Sequence, residues 1–301
     1  MKTYLDCIPC FFKQILEAAR MAGADEQTQR KALDELAKVM PGIPLTYSPP
    51  ETGKIVYELL KNIIKKDDPY LKLKEKSNKL ALSIYHNLKK KISRSHDRLL
   101  TAVELAIAGN IIDYGVKNTL NVDVELKRIL NEENKAIKRQ NKANFNYVKF
   151  RHVLKEARNI LYLADNAGEV VFDRILIEEI IRLDSSKKII YAVKEKPAIN
   201  DALIDDAIAC GVNIVAEVIS SGSDAPGTVL SLCSKEFLTT YRKADMIISK
   251  GQGNFEALSQ ANRPIFFLFI AKCPVIANDA GCMLGDVILI YHSGRNRKRS
   301  C

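Results

Sequence analysis

The stretch Asn159–Val193, NILYLADNAGEVVFDRILIEEIIRLDSSKKIIYAV, decides the fold. It opens with a short apolar run, Asn159–Ala164, and passes a polar turn. Apolar residues at helical spacing follow from Val171 to Leu183, and a second apolar run, Lys187–Val193, closes it. Short apolar runs bounded by polar turns read as buried strands, and the spacing between them reads as a helix, so the stretch is a β-α-β unit. Four more runs follow at Asn213–Ile219, Asp245–Ser249, Pro264–Ala271 and Asp286–Tyr291, most of them separated by amphipathic stretches such as Asp201–Ala209. Alternation of this kind predicts a mainly parallel sheet with helices on both faces, a doubly wound, Rossmann-like α/β domain.

The sequence before this region is helical in pattern. Phe11–Met21 and Gln27–Val39 space apolar residues by three and four, and PGIPLTYSPP (Pro41–Pro50) breaks the helices. LLTAVELAIAGNII (Leu99–Ile112) is apolar almost all round, as a buried helix is. A chain of 301 residues exceeds one ordinary core, so two domains are expected: an all-helical one over 1–145 and a Rossmann-like α/β domain over 146–301 that carries a metal site. With 47% hydrophobic and 27% charged residues the composition is that of a folded globular protein, which excludes disordered and collagen-like classes. No run approaches the roughly 18 apolar residues of a membrane span.

Lys and Arg outnumber Asp and Glu by 46 to 36, a net charge of +10 that favours an anionic partner. Much of the excess lies in Lys61–Lys91, where lysines alternate with apolar residues as on a solvated helix face, and in Arg295–Arg299. No nucleic-acid-binding motif accompanies it, so nucleic acid is disfavoured. The seven cysteines are odd in number and follow no signal peptide, which points to a reducing, cytoplasmic setting. Cys7-Ile8-Pro9-Cys10 is a CxxC pair with no second pair to complete a zinc site; helix packing, metal handling and redox chemistry all remain open for it. Nothing in the chain specifies an oligomeric state.

In doubly wound sheets ligands bind beyond the carboxyl ends of the strands. There the sequence places Asp165-Asn166-Ala167-Gly168-Glu169, Lys194 with Asn200-Asp201, Ser220–Thr228 (SSGSDAPGT), Lys250–Glu256 (KGQGNFE) and Lys272-Cys273. A dinucleotide fingerprint is missing, because the first turn has one glycine, and no phosphate-binding GxxxxGK[ST] occurs. Asp165, Asn166 and Asp201 supply carboxylate and amide oxygens of the kind a hard cation takes, although Asp165 or Asn166 also serves as an ordinary helix cap. Mg²⁺ or Mn²⁺ is the natural occupant, with Co²⁺ and Ni²⁺ as further candidates. Lys250 and Lys272 balance phosphate charge, while Ser221, Gly222 and the Gly251/Gly253 turn offer donors to it; any single glycine taken alone reads first as a short connection.

These segments, in this order, together with the CIPC start and AIAGNIID (Ala106–Asp113), resemble the metal-dependent damage-control phosphatase family, in its CxxC-containing microbial branch. The resemblance implies a helical domain packed on a Rossmann-like one, with a divalent cation assisting hydrolysis of small phosphorylated metabolites. It places metal ligands on Asp165, Asn166 and Asp201. It places substrate contacts on Glu169, Lys250, Gln252, Gly253, Asn254, Phe255, Glu256 and Lys272, and brings Asn110 to the same cavity. Catalytic roles fall to Asp165, Glu169 and Lys250, with Ser221 and Gly222 added as substrate-binding residues. Water is the expected nucleophile, because Ala167 stands where an aspartyl-phosphate enzyme needs an acid/base Asp. Two alternatives stand beside this: an S-adenosylmethionine-dependent carboxyl methyltransferase, found in one branch of the family, and a CxxC redox or metal-handling module.

Overall fold

The computed structural model describes residues 1–109 and 144–294. Six strands, β1 (Asn159–Leu163), β2 (Lys188–Val193), β3 (Glu217–Ser220), β4 (Met246–Lys250), β5 (Ile265–Ile270) and β6 (Val287–His292), form one sheet in the order β3-β2-β1-β4-β5-β6. All pairings are parallel except β5 with β6. This is the doubly wound order: the chain builds outward from β1 through β2 to β3, then returns to start the other half at β4. The point where the order reverses therefore lies between β1 and β4, at the Leu163–Ser249 register pair.

The N-terminal helices among the described residues are α1 (Cys7–Met21), α2 (Glu26–Val39), α3 (Pro49–Ile64), α4 (Leu71–Ser93) and α5 (Arg98–Ala108). Next, α6 (Tyr147–Glu156) leads into β1, and α7 (Glu169–Leu183), α8 (Ile204–Ala209), α9 (Lys235–Lys243), α10 (Gln252–Leu258) and α11 (Pro274–Ala280) connect the strands. The breaker-rich PGIPLTYSPP ends by starting a helix. Ser48 and Glu51 form a reciprocal capping box, and Pro49 and Pro50 occupy the first turn, where a missing N–H costs nothing.

Strand periodicity distributes the core. In β1, Ile160 and Tyr162 face one side of the sheet, where α4 to α8 pack; Leu161 and Leu163 face the other, against α9, α10 and α11. Both faces are covered, which is why the strands read as unbroken apolar runs. The run at Asn213–Ile219 is the exception: Val212–Ile214 is a 3₁₀ turn, and only Glu217–Ser220 pairs, as an edge strand on β2.

Packing crosses the sequence change near residue 145. The later half of α4 and all of α5 share a core with α7 and the sheet, whereas α1, α2 and α3 form a separate core with Tyr70 and Leu73. At the end of α5 a Cβ on Gly109 would stand 3.0 Å from Phe172 of α7, so the two helices meet closely there. Lysines 72, 76, 79, 90 and 91 of α4 are exposed, as expected of a solvated face, but Lys74 is buried against Asp68 at 2.6 Å. Among the described residues no helix is long and apolar enough to cross a membrane.

Glu104 lies buried within α5, and burial pushes its carboxyl up to about 7, with Lys91 opposing and Asp97 reinforcing the rise. Between the ordinary carboxylate pKa and about 7 the folded chain holds a proton that the unfolded chain has released, so stability falls as pH rises through that window. Glu104→Gln is expected to flatten this dependence between pH 4.5 and 7, measured as urea midpoints across the range.

Candidate active site

At the point of reversal the turn after β1 is fastened to the segment after β2. Asp165 accepts from Ala202 N at 2.8 Å, and Ala167 N donates to the Asn200 carbonyl at 2.9 Å, which sets Asn166 and Asp201 side by side as an isolated bridge. Gly168 takes a left-handed φ of 82° so that the turn can enter α7, and its N–H donates to Asn78 Oδ1 of α4 at 2.7 Å. Across from it, Gly251 ends β4 with φ 83°. A Cβ there would lie 2.0 Å from Asp165 Cγ, so glycine is required for both backbone shape and space.

The polar residues form one buried network. Asn166 Nδ2 donates to Asp165 Oδ2 at 2.9 Å and to Glu169 Oε1 at 3.0 Å. Lys250 Nζ donates to Glu169 at 3.1 Å and to Asp173 at 2.8 Å, while the Tyr162 and Tyr191 hydroxyls donate to Asp173 at 2.7 and 2.8 Å. Asp201 lies 3.6 Å from Lys194 Nζ and accepts from Gly227 N at 3.3 Å.

Burial, then the charges of Glu169 and Asp201, raise the Asp165 carboxyl well above its usual range, with Lys272 and Lys250 opposing. Asp201 is raised by burial in spite of Lys194, and Asp173 by burial in spite of Lys250. For Lys250 burial disfavours the ammonium, but Asp173 and Glu169 outweigh it and hold the charge on. Asp165 and Asp201 thus face a deficit of positive charge.

These two carboxylates and Asn166 floor a cavity of about 720 Å³. Gln252, Gly253, Glu256 and Lys272 line it from the sheet half; Tyr4, Cys7, Cys10 and Phe11 line it from the N-terminal segment and α1, and Pro49 and Pro50 from α3. Lys272 is the one Lys or Arg on this wall among the described residues. Burial raises the Glu256 carboxyl to about 7.

The structure divides the predicted set. Asp165, Asn166, Asp201, Gln252, Gly253, Glu256 and Lys272 reach the cavity. Glu169 and Lys250 lie beneath its floor, joined to each other and buried. Ser221, Gly222, Asn254 and Phe255 do not line it. Ser221 is buried and its hydroxyl accepts from Ser223 N. A Cβ on Gly222 would strike Ser234 N at 2.7 Å, so that glycine serves packing. Asn254 braces the Lys250 and Ala164 carbonyls and accepts from Thr228, and Phe255 packs on Phe267 and Phe269. Asn110 lies outside the described residues.

Sequence reasoning missed Asp173 and the contribution of α1, and it named Lys194 among the strand-end residues without giving it a role. Asp173 had a signal: it stands four residues after Glu169, on the same face of α7. Lys194 directly follows β2. The docking of Cys7 and Cys10 against the floor had none.

The oxygen donors of Asp165, Asp201 and the Asn166 amide suit a hard divalent cation. Nδ2 of Asn166 is committed to carboxylates, which leaves its Oδ1 as the ligand atom, and the local deficit of positive charge fits the same occupant. Among the described residues no group of three or more His, Cys, Asp and Glu side chains is arranged to hold a metal, so such a site depends on the amide.

Fold and site together define a doubly wound enzyme class with its carboxylates at the sheet's reversal point. Residues 3–288 match the model of the damage-control phosphatase ARMT1-like domain, and the chain belongs to that family. It is 36% identical over 294 residues to the damage-control phosphatase PH1575 of Pyrococcus horikoshii, covering 96% of this chain and 97% of that protein. It is 31% identical over 289 residues to a damage-control phosphatase of Archaeoglobus fulgidus, covering 94% and 96%. The crystal structure of the Pyrococcus horikoshii protein, described as a DUF89 family member, superposes with a TM-score of 0.85 at 33% identity over 96% of this chain and 99% of that one.

Gly251→Ala is expected to lower stability by about 1–3 kcal/mol through backbone strain alone, before any displacement of Asp165. Gly253→Ala, whose Cβ would come no closer than 3.6 Å to its neighbours, should cost less. Chemical denaturation of the two variants side by side checks the order.

Proposed function

We propose that the chain is a divalent-metal-dependent phosphatase that hydrolyses small phosphate monoesters with water as the nucleophile. The observation that carries this reading is the pair of buried carboxylates, Asp165 and Asp201, short of positive charge on the floor of a cavity whose wall presents Lys272. A bound cation there, held by Asp165, Asn166 and Asp201, supplies Lewis-acid stabilisation of phosphoryl oxygens and lowers the pKa of coordinated water. A volume of about 720 Å³ suits a metabolite-sized ester.

The protein's own groups divide the remaining work. Lys272, exposed on the wall, takes the phosphoryl charge. Its backbone N–H donates to Gln252 Oε1 at 3.0 Å, and Gln252 Nε2 donates to Glu256 at 2.9 Å, which fixes the rim on that side. Buried Lys250 and Glu169 position Asn166 from below: Lys250 holds Glu169, and Glu169 accepts from the Asn166 amide. Asp165 orients the attacking water. Ala167, two positions on, carries no proton, which favours water over Asp165 as the attacking group.

A screen of phosphate monoesters (sugar phosphates, nucleotides, phosphopantetheine-like compounds) against Mg²⁺, Mn²⁺, Co²⁺ and Ni²⁺ tests the reading. Asp165→Ala should abolish turnover and weaken Mn²⁺ binding in calorimetry while the circular-dichroism spectrum is kept, and full metal-dependent turnover in that variant would sink the assignment. Lys272→Ala is expected to lower kcat roughly 10²-fold, as removal of one preorganised charge-stabilising donor does.

A further inference from the structure

Three free thiols sit on the walls of the cavity: Cys7 and Cys10 on α1, and Cys273 at the start of α11. The phosphatase reading uses none of them. Cys7 and Cys10 stand three residues apart in the first turns of one helix, with Cys10 exposed and Cys7 half-buried.

Their surroundings make the two unequal. Gln14 Nε2 donates to Cys10 Sγ at 3.2 Å, and Gln14 is itself held by the Tyr57 hydroxyl at 3.4 Å. Cys7 is half-buried, and burial pushes its thiol up. An exposed sulfur beside a sheltered one is the division between an attacking and a resolving cysteine.

A bridge between the two sulfurs would tighten the helix start. Side chains three apart on a helix hold their Cβ atoms about 5–6 Å apart, whereas a disulfide draws them to about 3.5–4.5 Å. The N-cap residue Asp6 makes no side-chain capping bond that would resist this. Tyr4, Asp6 and Phe11 of the same segment also line the cavity. Among the described residues no group of three or more His, Cys, Asp and Glu side chains is arranged to hold a metal around these thiols.

We propose that Cys7 and Cys10 form a reversible thiol–disulfide site on the wall of the phosphate cavity, oxidised by small-molecule disulfides. The Cys10 thiolate attacks one sulfur of RSSR, an S–S bond breaks, and RS⁻ leaves. The Cys7 thiolate then attacks the Cys10 sulfur of the mixed disulfide and expels the second RS⁻. The two protons of the protein thiols end on two RSH, so the dithiol is oxidised by two electrons and RSSR is reduced. Closure draws the start of α1 inward and weakens substrate binding. This last consequence rests on the phosphatase reading, and the bond itself does not.

The test treats the reduced full chain with excess hydroxyethyl disulfide, alkylates the remaining thiols and maps the peptides by mass spectrometry. A Cys7–Cys10 link with Cys273 alkylated is expected. Cys7→Ser should retain a mixed disulfide on Cys10, while Cys10→Ser should leave Cys7 unmodified. KM of the oxidised enzyme should rise at least about threefold with kcat little changed, as for a loss of uniform binding, and dithiothreitol should reverse the rise. Each cysteine variant, compared with its own reduced form, should show no such shift. Absence of the link, pairing with Cys273, or reaction at Cys7 in place of Cys10 overturns the site. A link without a change in KM overturns its coupling to the cavity. No turnover of any ester by the reduced enzyme defeats the phosphatase reading and leaves the peptide map to decide the site.

Discussion

Lys250 has no exposed surface, yet its ammonium is the contact on which the site's geometry rests. It joins the end of β4 to two carboxylates of α7, Glu169 and Asp173, and Asp173 in turn takes the hydroxyls of Tyr162 from β1 and Tyr191 from β2. One buried cation thereby ties three neighbouring strands and the first crossover helix together directly under the cavity floor. Such a pair contributes little net stability over an apolar equivalent, but removing one member typically costs 3–5 kcal/mol because the other charge is left buried. Its value here is geometric: it holds Glu169, Glu169 holds Asn166, and Asn166 holds the outer carboxylate of Asp165.

The helical half completes what the sheet begins. Asn78 of α4 accepts from Gly168 in the turn after β1 and donates to Asp206 of α8 at 2.7 Å. Lys54 of α3 pairs with Asp224 at 2.6 Å, and Lys61 donates to the Pro197 carbonyl at 3.0 Å. The carboxylates and the ammonium of the cavity come from strand ends and the turns after them, while Tyr4, Cys7, Cys10, Phe11, Pro49 and Pro50 face them from the N-terminal segment, α1 and α3.

The sheet was legible because both its faces are covered, which turns each strand into an apolar run that no solvent-facing residue interrupts. Its edge was harder: β3 pairs on one side alone, and the residues before it, though apolar, coil into a 3₁₀ turn. Strand ends marked a region that the structure gathers around one cavity, since polar residues collect where a parallel sheet opens. Depth was not marked. Lys250 and Lys272 both follow apolar runs, yet Lys250 is the last residue of β4 and turns into the core, whereas Lys272 lies beyond β5 and is exposed. Residue type distinguishes neither, and the partner that draws Lys250 inward, Asp173, lies within a helix whose pattern reads as structural. The docking of α1 over the floor is a long-range event with no periodic signature at all.

The division of cores separates two kinds of substitution. Helices α4 and α5 share their apolar contacts with α7 and the sheet, so a change on their buried faces acts on the layer beneath the cavity directly. Helices α1, α2 and α3 bury their side chains mainly among themselves. Substitutions inside that smaller core reach the carboxylate layer only through ties such as Lys54 with Asp224 and Lys61 with the Pro197 carbonyl, so a change in one wall of the cavity and a change in its floor carry different structural costs.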